Sequence, residues 1–107
     1  MSLDHPEPVE EAPKTINHNS YYEGRVQSLG FPTEHGDATS GVLEPGQYNF
    51  GTAHRRETIK VVHGILKDDR TGQQYCAEPT PQVLVINEGE EIKLSCDNHV
   101  AYVCYYG

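Results

Sequence analysis

The fold is decided by the stretch Gly46-Gln-Tyr-Asn-Phe-Gly-Thr-Ala-His-Arg-Arg-Glu-Thr-Ile-Lys-Val-Val-His-Gly64, which predicts two short β-strands joined by a polar loop. Side chains on a strand alternate between its two faces, so Tyr48, Phe50 and Thr52 share one face of the first strand. Glu57 opens the second strand. We expect these four side chains to converge on one cavity inside a small barrel.

The chain from Tyr21 onward continues this period-two pattern. Turns rich in Gly, Pro, Asn and Asp interrupt it at short intervals, and no segment has a convincing helical period. Short strands at such spacing are typical of an all-β barrel or jelly roll. The predicted strands are 22–29, 40–43, 47–52, 58–62, 65–67, 73–76, 83–86, 92–96 and 101–106.

The length of 107 residues predicts a single domain with one modest core. We expect residues 21–107 to form this domain as one β-barrel. Residues 1–20 are acidic, rich in proline and poor in large apolar side chains. Such a composition buries too little apolar surface to offset the entropy lost on ordering, so this segment is predicted to be a flexible arm.

The balance of charge and cysteine excludes several classes of protein. The formal net charge is −8 and only eight side chains are Lys or Arg, whereas binding to nucleic acid requires clustered basic side chains. Three cysteines at spacings that fit neither a zinc ribbon nor a redox pair indicate a reduced, cytoplasmic compartment. Because the longest apolar run is Val83-Leu-Val-Ile86, we expect no membrane segment.

The 46–64 stretch also has the spacing of a cupin metal motif without its ligands. Metal-binding cupins carry His-x-His, a Glu and then a Gly; Glu57 and Gly64 keep their positions, whereas Phe50 and Thr52 replace the histidines. In a second segment, 87–92, Ile92 stands where the remaining histidine would be. Because a transition metal needs about three protein ligands, the sequence predicts a cupin-type barrel without a metal.

Five motifs follow one another with almost gapless spacing: Tyr22-Glu-Gly-Arg-Val-Gln-Ser-Leu-Gly-Phe31, Gly41-Val-Leu43, Gly46-x-Tyr-x-Phe-x-Thr52, Glu57-x-x-x-Val-x-x-Gly64 and Tyr102-Val-Cys-Tyr-Tyr106. Together they resemble the pyrimidine/purine nucleoside phosphorylase family of small cupin-fold proteins. The resemblance implies phosphorolysis of purine and pyrimidine nucleosides, in which phosphate displaces the base and leaves ribose 1-phosphate. It implies a pentosyltransferase, a class of glycosyltransferase, that uses no cofactor beyond phosphate as co-substrate.

The resemblance and the chemistry of the side chains suggest roles for particular residues. Glu57 matches the family carboxylate and would bind ribose or stabilise the developing positive charge. His63 is a candidate acid or base because imidazole changes its charge near neutral pH. Aromatic faces suit a base and guanidinium groups suit phosphate. The candidates for substrate binding are Tyr48, Phe50, Thr52 and Tyr75, and those for phosphate binding are Arg25, Arg55 and Arg56.

Two other classes of function stay open at the level of the sequence. A non-enzymatic cupin would bind a small molecule in the same pocket without turnover. A structural protein would use its sheet faces for dimerisation alone. The family resemblance favours an enzyme that is a homodimer.

Overall fold

The computed structural model describes residues 15–107, which form ten β-strands. None of these residues belongs to a helix long and apolar enough to cross a membrane. The strands are β1 (Asn17–Tyr21), β2 (Val26–Thr33), β3 (Gly36–Leu43), β4 (Gly46–Thr52), β5 (Glu57–His63), β6 (Ile65–Asp68), β7 (Gln74–Cys76), β8 (Val83–Ile86), β9 (Glu91–Cys96) and β10 (Val100–Tyr106).

The strands form two antiparallel sheets. One has six strands in the order β1-β2-β3-β10-β5-β8, and the other has four in the order β4-β9-β6-β7. The prediction of an all-β jelly roll is confirmed, with the two sheets facing each other as a sandwich rather than closing into a continuous barrel. The chain crosses between the sheets at the β4–β5 loop, residues 53–56, which brings both strands of the 46–64 stretch to the same end of the core.

The core lies between the two sheets and is built by the alternation of side chains along each strand. On the six-stranded sheet, Val26, Leu43 and Val61 are fully buried, and Leu66 and Leu94 face them from the four-stranded sheet. Burying an aliphatic side chain of this kind contributes roughly 1.5–3 kcal/mol. The inward faces of both sheets therefore supply most of the stability, and any polar group between them is in a desolvated environment.

The first strand lies partly within the segment predicted to be a flexible arm. β1 pairs with β2 in register from Asn17 opposite Gly30 to Tyr21 opposite Val26. Residues 17–20 are therefore part of the sheet, because β2 supplies a partner for their backbone groups that their polar sequence does not reveal. The prediction for residues 1–14 lies outside the described residues.

The predicted strand 22–29 is wrong at its start. Tyr22 and Glu23 have φ angles of 52° and 57°, and Gly24 has 87°, so the backbone is left-handed there and not extended. Backbone hydrogen bonds from Gly24 and Arg25 to Tyr21 and Tyr22 close this turn at 3.2 and 3.1 Å. The strand begins only at Val26.

The hairpin between β2 and β3 is longer than predicted. The predicted strands ended at residue 29 and began again at residue 40, yet residues 30–33 and 36–39 pair as part of one antiparallel hairpin. The Thr33 hydroxyl donates to the Gly36 carbonyl at 2.6 Å and accepts from the His35 amide at 3.1 Å. These two bonds hold the tight turn and bring Asp37, at the start of β3, close to the β4–β5 loop.

Candidate active site

A cavity of about 350 Å³ lies between the two sheets, at the end bordered by the β4–β5 loop. Its volume is within the range of pockets that hold small ligands. Both sheets contribute to its wall, including β1 at the edge of the six-stranded sheet. The lining residues are Asn19, Tyr21, Val26, Ser28, Thr39, Leu43, Phe50, Thr52, His54, Arg55, Glu57, Ile59, Leu66, Ile92, Leu94, Tyr102, Cys104 and Tyr106.

Glu57 places a carboxylate in the wall of this cavity. It is the first residue of β5, half-buried, and lies opposite Tyr106 of β10 and Ile86 of β8 in the sheet register. The Cys104 thiol donates a hydrogen bond to Glu57 Oε1 at 3.6 Å. Burial raises the pKa of Glu57, although the Cys104 hydrogen bond and the charges of Arg55 and His54 oppose the rise. The carboxyl group is therefore partly desolvated.

Three polar side chains of β10 share the inward face of that strand, because successive ones are two residues apart. They are Tyr102, Cys104 and Tyr106. Burial raises the pKa of both Tyr102 and Cys104 to about 12. It also raises the pKa of Tyr106. All three stay protonated at neutral pH and act as neutral donors. The Tyr106 hydroxyl is hydrogen-bonded to Thr39 Oγ1 on β3 at 3.1 Å.

Arg55 is the predicted phosphate-binding arginine that lies at the cavity. Its guanidinium carbon is 4.8 Å from the centre of the Tyr106 ring, and Nη2 is 3.2 Å from Asp37 Oδ2. Both the Arg55 and Asp37 side chains are more than half exposed. The guanidinium therefore lies between the cavity and solvent, over the Tyr106 ring.

Phe50 and Thr52 also line the cavity, on the opposite sheet from Glu57. The pairing of β4 with β9 shifts register between Asn49 and Gly51, so Phe50 is the extra residue of a β-bulge. Its ring meets the Tyr21 and Tyr22 rings edge to face, at centroid distances of 6.2 and 5.8 Å. This cluster gives the cavity an aromatic wall suited to a flat ligand.

The other predicted residues lie away from the cavity lining. Tyr48 is 3% exposed in the core, and its hydroxyl donates to the Glu44 carbonyl at 2.6 Å. Arg25 donates to the Pro45 carbonyl at 2.6 Å and stacks over the Tyr48 ring at 5.5 Å. The structure therefore places both residues in a structural cluster beneath the β3–β4 turn.

His63, Tyr75 and Arg56 also lie outside the cavity lining. His63 ends β5 six residues after Glu57, roughly 20 Å along the strand. Tyr75 lies on β7 of the other sheet and packs, half-buried, against the core. Arg56 is exposed, and its carbonyl accepts a hydrogen bond from Gly107 at 3.0 Å. Neighbours in sequence are thus not all neighbours in the site.

The residues that stand where metal-binding cupins have histidine ligands also line the cavity. Phe50, Thr52 and Ile92 occupy its wall beside Glu57 and offer one hydroxyl and no imidazole. Within residues 15–107, no three His, Cys, Asp or Glu side chains lie close enough together to hold a metal ion.

Sequence reasoning did not assign Thr39, Tyr102, Cys104 or Tyr106 to the site. The signal was present, since alternation along 101–106 places Tyr102, Cys104 and Tyr106 on one face. What the sequence did not show is that this strand pairs directly with the strand of Glu57, with Cys104 opposite Ile59. Only the sheet order makes a thiol the neighbour of the carboxylate.

Comparison with known proteins agrees with the family indicated by the motifs. The sequence profile of the pyrimidine/purine nucleoside phosphorylase family matches residues 16–106. A pyrimidine/purine nucleoside phosphorylase from Pseudoalteromonas atlantica is 35% identical over 92 residues, which cover 85% of this chain and 98% of the relative.

Solved structures agree with the fold. A protein of unknown function from Vibrio parahaemolyticus is 32% identical with a TM-score of 0.70, covering 85% of this chain and 97% of that one. A putative ethanolamine utilization protein Q from Salmonella typhimurium shares the cupin-type fold at 14% identity and a TM-score of 0.61, covering 85% of this chain and 92% of that one. With the profile match over residues 16–106, the chain belongs to the pyrimidine/purine nucleoside phosphorylase family.

Proposed function

We propose that this protein catalyses the phosphorolysis of purine and pyrimidine nucleosides. The observation that carries the proposal is the position of Glu57 and Arg55, two residues apart, on one cavity that also has the aromatic wall of Phe50. A carboxylate, a guanidinium and an aromatic surface are the groups that such a reaction needs. The name carried by relatives about 35% identical points to the same chemistry.

In the reaction, a phosphate oxygen forms a bond to C1′ of the ribose as the bond from C1′ to the base nitrogen breaks. The base leaves with that electron pair and takes up a proton, and ribose 1-phosphate remains. Positive charge develops on the sugar ring between the two partial bonds. Glu57 stabilises this charge, and its partial desolvation strengthens the interaction because the local dielectric constant is low.

Arg55 receives the phosphate at the entrance of the cavity. A guanidinium binds two phosphate oxygens in parallel, which fixes the orientation of the nucleophile as well as its position. The aromatic wall of Phe50 and Tyr21 contacts the base, and the Thr52 hydroxyl is a donor or acceptor for the sugar. Because aromatic contact is tolerant of ring identity, this wall suits both purines and pyrimidines.

The proposed reaction uses no metal. Phe50, Thr52 and Ile92 supply no imidazole at the positions where cupins hold a metal, and the transition state is stabilised by fixed protein charges instead. A chelator should leave activity unchanged. Activity lost to a chelator and restored by a divalent ion would overturn this part of the proposal.

The protein is further proposed to act in the cytoplasm as a homodimer. Its three cysteines are free thiols, which suits a reducing compartment. The outward face of the six-stranded sheet exposes Leu29, Val42, Val85 and Tyr105 by 46–49% each. Two such faces would cover each other's apolar side chains. Light scattering measures the molar mass in solution and tests this. The wild type should have the mass of a dimer and Val85→Lys that of a monomer. A monomeric wild type would contradict the proposal.

The decisive experiment is incubation of the protein with uridine, cytidine, adenosine, guanosine or inosine, with and without phosphate, followed by detection of free base. Base release that requires phosphate supports the proposal. Release without phosphate would indicate a hydrolase, and no release with any nucleoside would leave a binding protein or a structural dimer. Glu57→Gln should lose most activity, whereas the exposed Glu88→Gln should not.

A further inference from the structure

The wall of the cavity around Glu57 is assembled from three adjacent strands, β3, β10 and β5. Thr39 Oγ1 lies 3.1 Å from the Tyr106 hydroxyl, and Cys104 Sγ lies 3.6 Å from Glu57 Oε1. Tyr106 and Cys104 are two residues apart on the same face of β10, so their side chains are neighbours on the wall of the cavity. The four groups thus lie in a row of polar side chains across β3, β10 and β5 that ends on the carboxylate.

The direction of these hydrogen bonds follows from the ionised carboxylate. A carboxylate only accepts, so the Cys104 thiol must donate to Glu57. A thiol that donates its proton is free to accept from the Tyr106 hydroxyl, which in turn is free to accept from Thr39. Donors aligned in this way polarise one another and strengthen the last bond. Cys104 is 2% exposed, so water does not compete for that bond.

We propose that Cys104 is a positioning residue for Glu57, that it holds the carboxylate ionised and turned into the cavity, and that Tyr106 and Thr39 support it from behind. The role of Glu57 in this statement rests on the proposed phosphorolysis. The arrangement explains a thiol in a place where burial alone would favour an aliphatic side chain. A thiol fills the space of a small apolar group and still offers one donor.

Several other groups face Glu57 and also influence its pKa. Arg55 and His54 approach from the β4–β5 loop, and both favour the ionised carboxylate. Tyr102 lies further along β10, and the side chain of Ile86 on β8 is apolar. The opposite sheet presents Phe50, Thr52 and Ile92 to the same cavity. Removal of the thiol therefore leaves the neighbouring charges in place and changes one donor.

The test compares Cys104→Ala and Cys104→Ser by two measurements. The first is the pKa of the Glu57 side chain, followed by NMR on protein with ¹³C-labelled glutamate and no substrate. The second is the pH profile of kcat/KM with uridine and phosphate. Cys104→Ala should raise the pKa of Glu57 and move the acid limb to higher pH, by up to about one unit for one lost hydrogen bond. Cys104→Ser keeps a donor and should restore the acid limb.

Two further variants keep the result interpretable. Cys96→Ala removes a buried thiol that donates to the Glu44 carbonyl at 3.3 Å, away from the cavity, and should move neither measurement. Tyr106→Phe keeps the ring under Arg55, removes the hydroxyl, and should move both measurements in the direction of Cys104→Ala by a smaller amount. It replaces Cys104→Ala as the test if that variant does not fold.

An unchanged Glu57 titration in Cys104→Ala, or in Tyr106→Phe if the former does not fold, would overturn the proposal. A wild type that releases no base from any nucleoside would instead overturn the proposed phosphorolysis. The NMR titration still decides the role of Cys104 in that case, because it needs no substrate.

Discussion

The guanidinium of Arg55 is held between two groups, the ring of Tyr106 at 4.8 Å and the carboxylate of Asp37 at 3.2 Å. The guanidinium lies over the ring, and the Asp37 carboxylate accepts from Nη2, a donor that the proposed phosphate would also use. An exposed ion pair of this kind is worth about 0.2–1 kcal/mol. Asp37 would therefore be a weak competitor for the phosphate that we propose binds Arg55.

Neutralising Asp37 should improve phosphate binding. In Asp37→Asn the guanidinium keeps its platform and loses its competitor, so the KM for phosphate should fall roughly 1.5- to 5-fold with little change in kcat. Steady-state kinetics at varied phosphate measure this. Glu34→Gln removes the same charge from the same hairpin turn at a position that forms no ion pair with any of residues 15–107. An equal decrease in both variants would mean that general repulsion, rather than competition at Arg55, controls phosphate binding.

Replacing Arg55 by lysine should damage phosphate binding although the charge is kept. Lysine has neither the planar group that stacks on Tyr106 nor two parallel donors. We expect the KM for phosphate to rise roughly tenfold, equivalent to the loss of one charge-assisted hydrogen bond. Arg56→Lys is the matched control, because Arg56 is exposed and does not line the cavity. Similar kinetics for the two variants would remove Arg55 from the phosphate site.

Glu57→Gln should produce a protein that is less active and more stable. Because burial raises the pKa of Glu57 in the folded state, the ionised form disfavours folding at neutral pH. In the wild type that cost disappears as the pH falls through the folded-state pKa. The protonated Glu57 side chain therefore destabilises the fold less at acidic pH than the ionised one does at pH 7. Gln removes the charge at every pH. Thermal unfolding at pH 7 should show a higher Tm for Glu57→Gln, and the difference should narrow as the pH is lowered. A lower Tm at pH 7 would show that the Cys104 hydrogen bond outweighs desolvation.

Period-two alternation predicted all seven strands from β4 to β10 to within one residue at each end, because each strand buries one face. The same reasoning was wrong where the backbone conformation depends on left-handed residues, as at Tyr22 and Glu23. It also did not find β1, since Asn17–Tyr21 has no apolar face of its own and is ordered by pairing with β2. Edge strands with polar sequences give no periodic signal.

For the site, alternation predicted that Phe50, Thr52 and Glu57 face one cavity, and all three do line it. It did not separate Arg55 from Arg25 and Arg56. Which arginine faces the cavity depends on how the β4–β5 loop crosses between sheets and on the presence of Tyr106, which is 51 residues away along the chain. Such long-range pairing is set by the sheet order and is not encoded in local spacing.

Asp68 should be a major source of stability that is lost in acid. Its carboxylate is 2% exposed and accepts hydrogen bonds from Arg70 Nε at 3.1 Å and Nη2 at 2.9 Å. These bonds lower the pKa of Asp68. A lowered folded-state pKa contributes stability above the unfolded-state value of about 4 and loses it as the pH falls through the folded-state value. Asp68→Asn should lower the free energy of unfolding at pH 7 by roughly 2–3 kcal/mol and flatten its decrease below pH 4.

Urea unfolding between pH 2 and pH 7 measures both effects. Asp69→Asn is the matched control, because Asp69 is exposed and accepts a single hydrogen bond from Ser95 at 2.6 Å. Asp69→Asn should lower the free energy of unfolding much less than Asp68→Asn does. Comparable losses for the two variants would contradict the assignment of the stability to the buried pair.

Gly64 should tolerate alanine much less well than Gly72 does. Both have nearly the same left-handed backbone, with φ angles of 82° and 80°. A Cβ atom on Gly64 would lie 2.4 Å from the His99 carbonyl oxygen, whereas one on Gly72 would meet nothing within 4 Å. The backbone penalty of roughly 1–2 kcal/mol is common to both variants, and Gly64→Ala adds an overpacking cost of roughly 1–3 kcal/mol. Chemical denaturation of the two variants therefore isolates the close approach of Gly64 to the β9–β10 turn. Equal losses would show that the turn moves away freely and that Gly64 is needed for its conformation alone.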